Sequence, residues 1–358
     1  MNDPTLSRRN FVKSAGAISV ASFAILPNIH GQNAPSRKLR VGVMGLKRGS
    51  AHIKSFQNAT NVEIAYVCDV DKTRATKGAA LASKGQKNPL QVVTDFRRIL
   101  EDPTVDILSI AAPNFWHAPS TILACEAGKH VYVEKPGSYD PQEGEWMVAA
   151  ARKYDRRVQQ GTQRRSYASM IDGMAKLHNG VIGTVKYART WYHNTRDTIG
   201  TGNRTGVPDF LDYDLWQGPV PESPYKDNLV HYNWHWHWKY GGGELINNGV
   251  HALDVARWGL GVDYPTRVSY QGSRYHFDDD QETPDTGTAQ FDFGDVGASW
   301  DGSSCHKRSE ENLAFCTFYG PGGSVAFDTS GYAIYDSKGK LTDKGKGTSG
   351  DVPHFQNL

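Results

Sequence analysis

Between residue 38 and about residue 160, short β-branched runs alternate with longer stretches of helical periodicity. The first run, Leu39-Arg40-Val41-Gly42-Val43-Met44, ends at Gly45, and a helical stretch carrying Ile53 and Phe56 follows. A second run, Val62–Cys68, ends at Asp69. Further strands are predicted at Val92–Thr94, Asp106–Ala112, His130–Val133 and Arg157–Gln160, with helices between them, notably Ala118–Ala127 and Pro141–Tyr154. Alternation of this kind predicts a parallel, doubly wound sheet.

Past residue 160 the pattern changes. A helix over Tyr167–His178 and a strand over Thr184–Tyr192 precede a long aromatic stretch at about 195–240. The run Gly242–Trp258 reads as a helix. From 265 on, β-rich segments separated by glycine turns (Arg267–Tyr275, Thr286–Phe293, Gly297–Ser303, Asn312–Tyr319 and Ser324–Asp328) predict an open, largely antiparallel sheet. The expected class is α/β, with a Rossmann-type parallel sheet followed by an α+β domain. The predicted divisions are 1–36, 37–160 and 161–358.

With 38% hydrophobic and 22% charged residues, the chain reads as globular rather than disordered. A net charge of +2 without a basic stripe excludes nucleic acid as an expected partner. Four cysteines show no zinc spacing, and no metal is expected. Cys68 and Cys125 sit in apolar runs, while Cys305 and Cys316 leave a bridge across neighbouring strands open. The N-terminus changes the picture more. Ser7-Arg8-Arg9-Asn10-Phe11-Val12-Lys13 and the apolar run Ala15–Leu26 match a twin-arginine export signal, which predicts a periplasmic protein that meets the export machinery. Cleavage is expected near residues 30–36, with retention as an anchor left open. Export of a folded protein permits loading with a cytoplasmic cofactor.

The order strand, glycine turn, helix, strand, acidic residue is that of a dinucleotide-binding unit. The fingerprint departs from G-x-G-x-x-G, because Lys47 and Ser50 stand at its second and third glycine positions. Lys47 can compensate with charge near phosphate, and Ser50 can cap the helix. Gly45, Lys47, Arg48, Gly49, Ser50 and Asp69 are therefore the cofactor candidates. Asp69 would repel a 2′-phosphate and favours NAD, with Lys72 and Arg74 keeping NADP open.

Three further segments narrow the field: Ala112-Pro113-Asn114-Phe115-Trp116-His117, Val133-Glu134-Lys135-Pro136 and Gly161-Thr162-Gln163-Arg164-Arg165. The first two fall at the carboxyl ends of predicted strands, where open α/β sheets bind ligands. From about residue 38 to its end the chain resembles the Gfo/Idh/MocA oxidoreductases. The resemblance implies cofactor contacts from Pro113, Asn114, His117, Glu134 and Lys135, with Lys135 between nicotinamide and substrate. It also implies dimers or tetramers formed through the outer face of the second sheet. An ammonium beside a carbinol oxygen would stabilise a developing alkoxide.

On the predicted helix, Asn247, His251 and Asp254 share one face at i, i+4 and i+7. The family pattern is Asp followed four residues on by a His base. His251 fits, whereas Asn247 cannot carry the charge of a carboxylate. Arg164, Arg165, Asp254 and a wall formed by Trp234, His235 and His237 are the expected sugar contacts. The aromatic run also reads as a strand with one aromatic face. Gly350–Leu358 resembles the opening of a helix with which family members continue, which would make the chain a fragment or a shortened member.

The predicted activity is hydride transfer between NAD and a sugar-like secondary alcohol, with the cofactor held tightly. Two alternatives stay open: glycoside cleavage by oxidation and elimination, and a non-catalytic carbohydrate- or dinucleotide-binding protein.

Overall fold

The computed structural model describes residues 37–306, 308, 310–329 and 331–358, so the predicted export signal lies outside the described residues. The β-branched runs become six parallel strands: β1 (Leu39–Met44), β2 (Val62–Cys68), β3 (Gln91–Val93), β4 (Ile107–Ile110), β5 (His130–Val133) and β6 (Val158–Gln160). Their order is β3-β2-β1-β4-β5-β6, with the reversal between β1 and β4. Strands β1, β2, β4 and β5 are buried on both faces, which is why their sequences are apolar without alternation. The helices are α1 (Gly49–Gln57), α2 (Lys72–Ala82), α3 (Arg97–Glu101), α4 (Asn114–Glu126) and α5 (Pro141–Lys153). Asp71 and Asp140 start α2 and α5 by accepting from first-turn amides. α4 begins at Asn114, four residues ahead of its predicted start.

After α6 (Ala168–His178), the second sheet is built from β7 (Tyr187–His193), β8 (Arg267–Ser273), β9 (Thr286–Asp292), β10 (Gly297–Ser303), β11 (Cys316–Gly320), β12 (Gly323–Phe327), β13 (Gly331–Asp336) and β14 (Leu341–Lys346). Their order is β14-β13-β12-β11-β7-β10-β9-β8. Only β7 and β10 run parallel to each other; the remaining pairs are antiparallel. The last two strands had no sequence expectation. In β14, Leu341-Thr-Asp-Lys-Gly-Lys has a single apolar residue and is largely exposed, so an edge strand left no apolar pattern. β11 starts at Cys316, not at Asn312. The Cys305–Cys316 bridge that the sequence left open does not form, because β7 separates β10 from β11 and all four cysteines are free and buried.

Between β7 and β8 an irregular arm runs over α7 (Tyr213–Gln217) and a 3-10 turn at Asn233–Trp236, through a π-helical turn at Leu245–Gly249, to α8 (Val250–Leu260). The aromatic run is thus a turn and not a strand. The arm lies on the first domain, where Lys72 N donates to Phe210 O at 2.9 Å and Asp212 N to Val70 O at 2.9 Å. Phe115 of α4 packs there with Leu211, Tyr213, Trp216, Val220, Leu229, Trp234 and Tyr240, so the arm carries its own apolar core. The C-terminal turn α9 (Val352–Phe355) returns to the first domain, where Phe355 stacks on Tyr132 at 4.0 Å.

Candidate active site

A cleft of about 590 Å³ opens at the carboxyl ends of β1, β2, β4 and β5, beneath the arm. One wall comes from strand ends and the turns that follow them. Gly45 has φ +83°, and a Cβ there would collide with the backbone of Ala111. Only glycine fits this turn. Asp69, at the end of β2, accepts from Leu46 N at 2.7 Å and Asp71 N at 2.9 Å, which fixes the turn across from it. Burial raises the Asp69 pKa against these bonds. No side chain caps the N-terminus of α1, which leaves that end open towards an anion.

Lys47 reaches over the Tyr232 ring of the arm at 4.6 Å. Its side chain therefore swings away from the backbone that glycine would leave bare. Ser50 does not cap the helix: its hydroxyl donates back to Leu46 O at 2.6 Å. Gly49 is buried against Val43 instead of bordering the cleft. Asp69, the turn at Gly45 and the cations Lys47 and Arg48 together fit a dinucleotide: an acceptor for ribose hydroxyls and donors for pyrophosphate.

Arg48 pairs with Glu134 at 2.8 Å and with Asp351 of the C-terminal turn at 2.9 Å. Burial disfavours the ionised form of Glu134, but His52 and Arg48 hold its carboxyl well below the usual range. His52 is fully buried and burial lowers its pKa. It stays neutral, donating Nε2–H to Glu134 at 3.0 Å while Nδ1 accepts from Ser109 Oγ at 2.9 Å. His117 is pinned between Pro136 O at 2.5 Å and Ala112 O at 2.8 Å, so it ties the turns after β4 and β5 together. Pro113 and Asn114 line the cleft at the start of α4.

The second domain brings its chemistry to the same place. Lys135 Nζ donates to Asn247 O at 2.6 Å and to Asn247 Oδ1 at 3.0 Å. The π turn widens the helix at that point, which turns the Asn247 carbonyl to Lys135. Burial lowers the Lys135 pKa, with Glu134 pulling the other way. His251 lines the cleft beside them; burial lowers its pKa to about 3, and the charges of Lys135 and Arg164 add to the effect. The result is a neutral imidazole next to an amine.

Trp234 and His235 border the cleft, stacked at 3.6 Å, and burial takes His235 to about 3 as well. Other expected contacts turn elsewhere. Asp254, half-buried on α8, ion-pairs with the exposed Arg165 at 2.9 Å. The π turn breaks the uniform helical spacing on which the three-residue stripe relied. Arg164 is buried with its guanidinium over Phe315 at 4.0 Å. His237 faces Glu282 at 3.4 Å, so it does not join His235, and the described residues contain no group of three or more His, Cys, Asp or Glu able to hold a metal. His231, Tyr232, Trp216 and Trp116 also line the cleft. His231 pairs with Asp71 at 2.8 Å. An irregular arm has no periodicity to reveal which of its aromatic residues point inward, and only the density of aromatic side chains marked the region.

Comparison with known proteins agrees with this geometry. Residues 39–162 match the sequence profile described as "Oxidoreductase family, NAD-binding Rossmann fold", and residues 180–285 match the "Oxidoreductase family, C-terminal alpha/beta domain" of the same family. D-glucoside 3-dehydrogenase of Escherichia coli is 27% identical over 231 residues, which are 63% of this chain and 55% of that protein. An alpha-N-acetylgalactosaminidase of Shewanella oneidensis is 31% identical over 155 residues, 37% of this chain and 34% of that one. The chain thus spans roughly a third to just over half the length of these relatives. Aldose-aldose oxidoreductase from Caulobacter crescentus, solved with glycerol, shares the fold with a TM-score of 0.67 at 21% identity, over 90% of this chain and 88% of that one. With both of its domains matched, the chain belongs to the Gfo/Idh/MocA oxidoreductase family.

Proposed function

We propose that the protein oxidises or reduces a sugar-like secondary alcohol with NAD held between the two walls of the cleft. The observation that carries this reading is the convergence of Lys135, Asn247 and neutral His251 from both domains in the cleft that Asp69 and Gly45 border. When bound, nicotinamide supplies the hydride acceptor or donor. The chain supplies everything else. His251, neutral over the physiological range, accepts the hydroxyl proton of the substrate at a ring nitrogen. Lys135, fixed by two bonds to Asn247, offers its remaining N–H to the carbinol oxygen and stabilises the alkoxide. Asn247 thereby orients the amine, a task an amide oxygen performs without a carboxylate's charge.

The arm gives a reason for tight cofactor retention. His231 and Tyr232 border the cleft while lying against Asp71 and covering Lys47, so release of the cofactor requires the arm to lift. A retained cofactor has to be recycled by a second substrate. That suits the export signal read at residues 7–13, through which the folded, loaded protein would reach the periplasm. Self-association through the outer face of the second sheet, into a dimer or tetramer, completes the reading.

A second reading has one observation in its favour, the identity shared with an alpha-N-acetylgalactosaminidase. Transient oxidation two carbons from the anomeric carbon would acidify the C–H on the carbon between them and allow elimination of the glycosidic oxygen as an alcohol; water would then add at the anomeric carbon and the hydride return to the carbonyl. Incubating the purified protein with sugars and glycosides separates the two: a dehydrogenase reduces its nucleotide, while a glycosidase frees sugar with no net reduction. Turnover indifferent to Lys135→Ala and His251→Ala would contradict both readings.

A further inference from the structure

A second recess of about 380 Å³ adjoins the cleft. The two share Asn114, and Glu244, Leu245 and Ile246 of the recess directly precede Asn247 in the chain. Three aromatic side chains line it and keep much of their surface in solvent: Trp238 at 55%, Tyr270 at 43% and Tyr139 at 37%. Gly241, Gly242 and Gly243 line it too, exposing backbone where other residues would place side chains. These glycines are demanded by the fold. Gly243 has φ +67°, and a Cβ at Gly241 would meet the backbone of His235. Among the described residues, no Lys or Arg borders the recess, and its one charged lining residue, Glu244, is an acid. Its carboxylate is fixed by Arg196 at 2.5 Å and by Asn248.

We infer that this recess is a subsite for a second pyranose ring, so that the preferred substrate is a glycoside or disaccharide and not a free monosaccharide. The inference rests on the carbohydrate reading above and adds to it which carbohydrate. Aromatic faces stack on the C–H surface of a sugar ring, while exposed peptide groups bond its hydroxyls. A neutral ring suits the site, because a phosphate or carboxylate would find no cation among the residues that line it. The position of the recess next to the cleft, across Asn114, sets the order: the ring that is oxidised lies by Lys135 and His251, and the ring attached to it lies on Trp238.

Binding of glucose, cellobiose and maltose to the nucleotide-loaded protein, measured by calorimetry, tests the inference. At least one disaccharide binds about tenfold to a hundredfold more tightly than glucose. Trp238→Ala removes that advantage and leaves glucose affinity unchanged, which also reports an intact fold; Trp238→Phe retains most of it. Equal affinity for all three sugars, or an equal loss for glucose and disaccharide in Trp238→Ala, overturns the subsite. So does loss of a dimer in Trp238→Ala with unchanged sugar affinity, because the patch would then be covered by a second copy. A wild-type protein that binds disaccharides no better than glucose defeats the subsite alone. One that binds none of the sugars defeats the carbohydrate reading itself.

Discussion

The two walls of the cleft are made in opposite ways. The first-domain wall consists of residues at the ends of parallel strands, Gly45, Asp69, Pro113 and Lys135, whose positions follow from strand length and sheet order. The facing wall is an arm of irregular backbone, held by individual bonds such as Lys72 N to Phe210 O and Asp212 N to Val70 O. A sheet gives rigidity to groups that meet the reacting atoms. An arm can lift, and so can govern what enters and leaves. On the reading proposed above, the reacting groups sit on the fixed wall and the π turn, and the arm holds the cofactor in place.

Breaking the fixed side has the largest expected effect. Lys135→Ala and His251→Ala lower turnover by about a hundredfold to ten-thousandfold. Both variants keep their nucleotide, as quantified after denaturation of the purified proteins. Breaking the movable side separates the two properties the other way. His231→Ala removes the arm's contact with Asp71 and speeds nucleotide release by about tenfold, read by dilution, while the chemical step under saturating NAD changes little.

A pH series sharpens the contrast further. His251 and His235 are shifted down to about 3, so both are neutral in the folded apoprotein between pH 3 and 6.5 while the unfolded chain binds protons there. Each contributes stability that is full above pH 6.5 and is lost as pH falls towards 3, at about 1.4 kcal/mol per pH unit. Denaturant midpoints of the apoprotein at successive pH values between 7 and 4 should fall, and less steeply in His251→Asn. The smallest effect belongs to the pair that only appeared to belong to the site. Asp254→Asn breaks a contact with Arg165 worth about 0.2–1 kcal/mol and leaves turnover unchanged.

The same contrast explains what could be read from the sequence. Strand order, the turn at Gly45, Asp69 and the segments around Pro113 and Lys135 lie in elements with a period, so residue spacing placed them. Asn247 and His251 were also within reach, because four residues keep two side chains on one side even across a π turn. Asp254, seven along, did not survive that local change of pitch. The arm gave no period at all, and there residue type alone misdirected: His237 and Arg165 have sugar-binding chemistry but face Glu282 and Asp254. Ser50 shows the same limit at one hydroxyl, which bonds back to Leu46 O instead of capping its helix.

The central claim is that Lys135 drives redox chemistry on a nucleotide the protein keeps. The most direct measurement follows nicotinamide absorbance in the nucleotide-loaded protein, without added cofactor, on mixing with a sugar or glycoside. The account predicts a change of redox state stoichiometric with bound nucleotide in the wild type, and none in Lys135→Ala, although that variant holds the same amount of nucleotide. A Lys135→Ala protein that exchanges hydride with the sugar as fast as the wild type would contradict it.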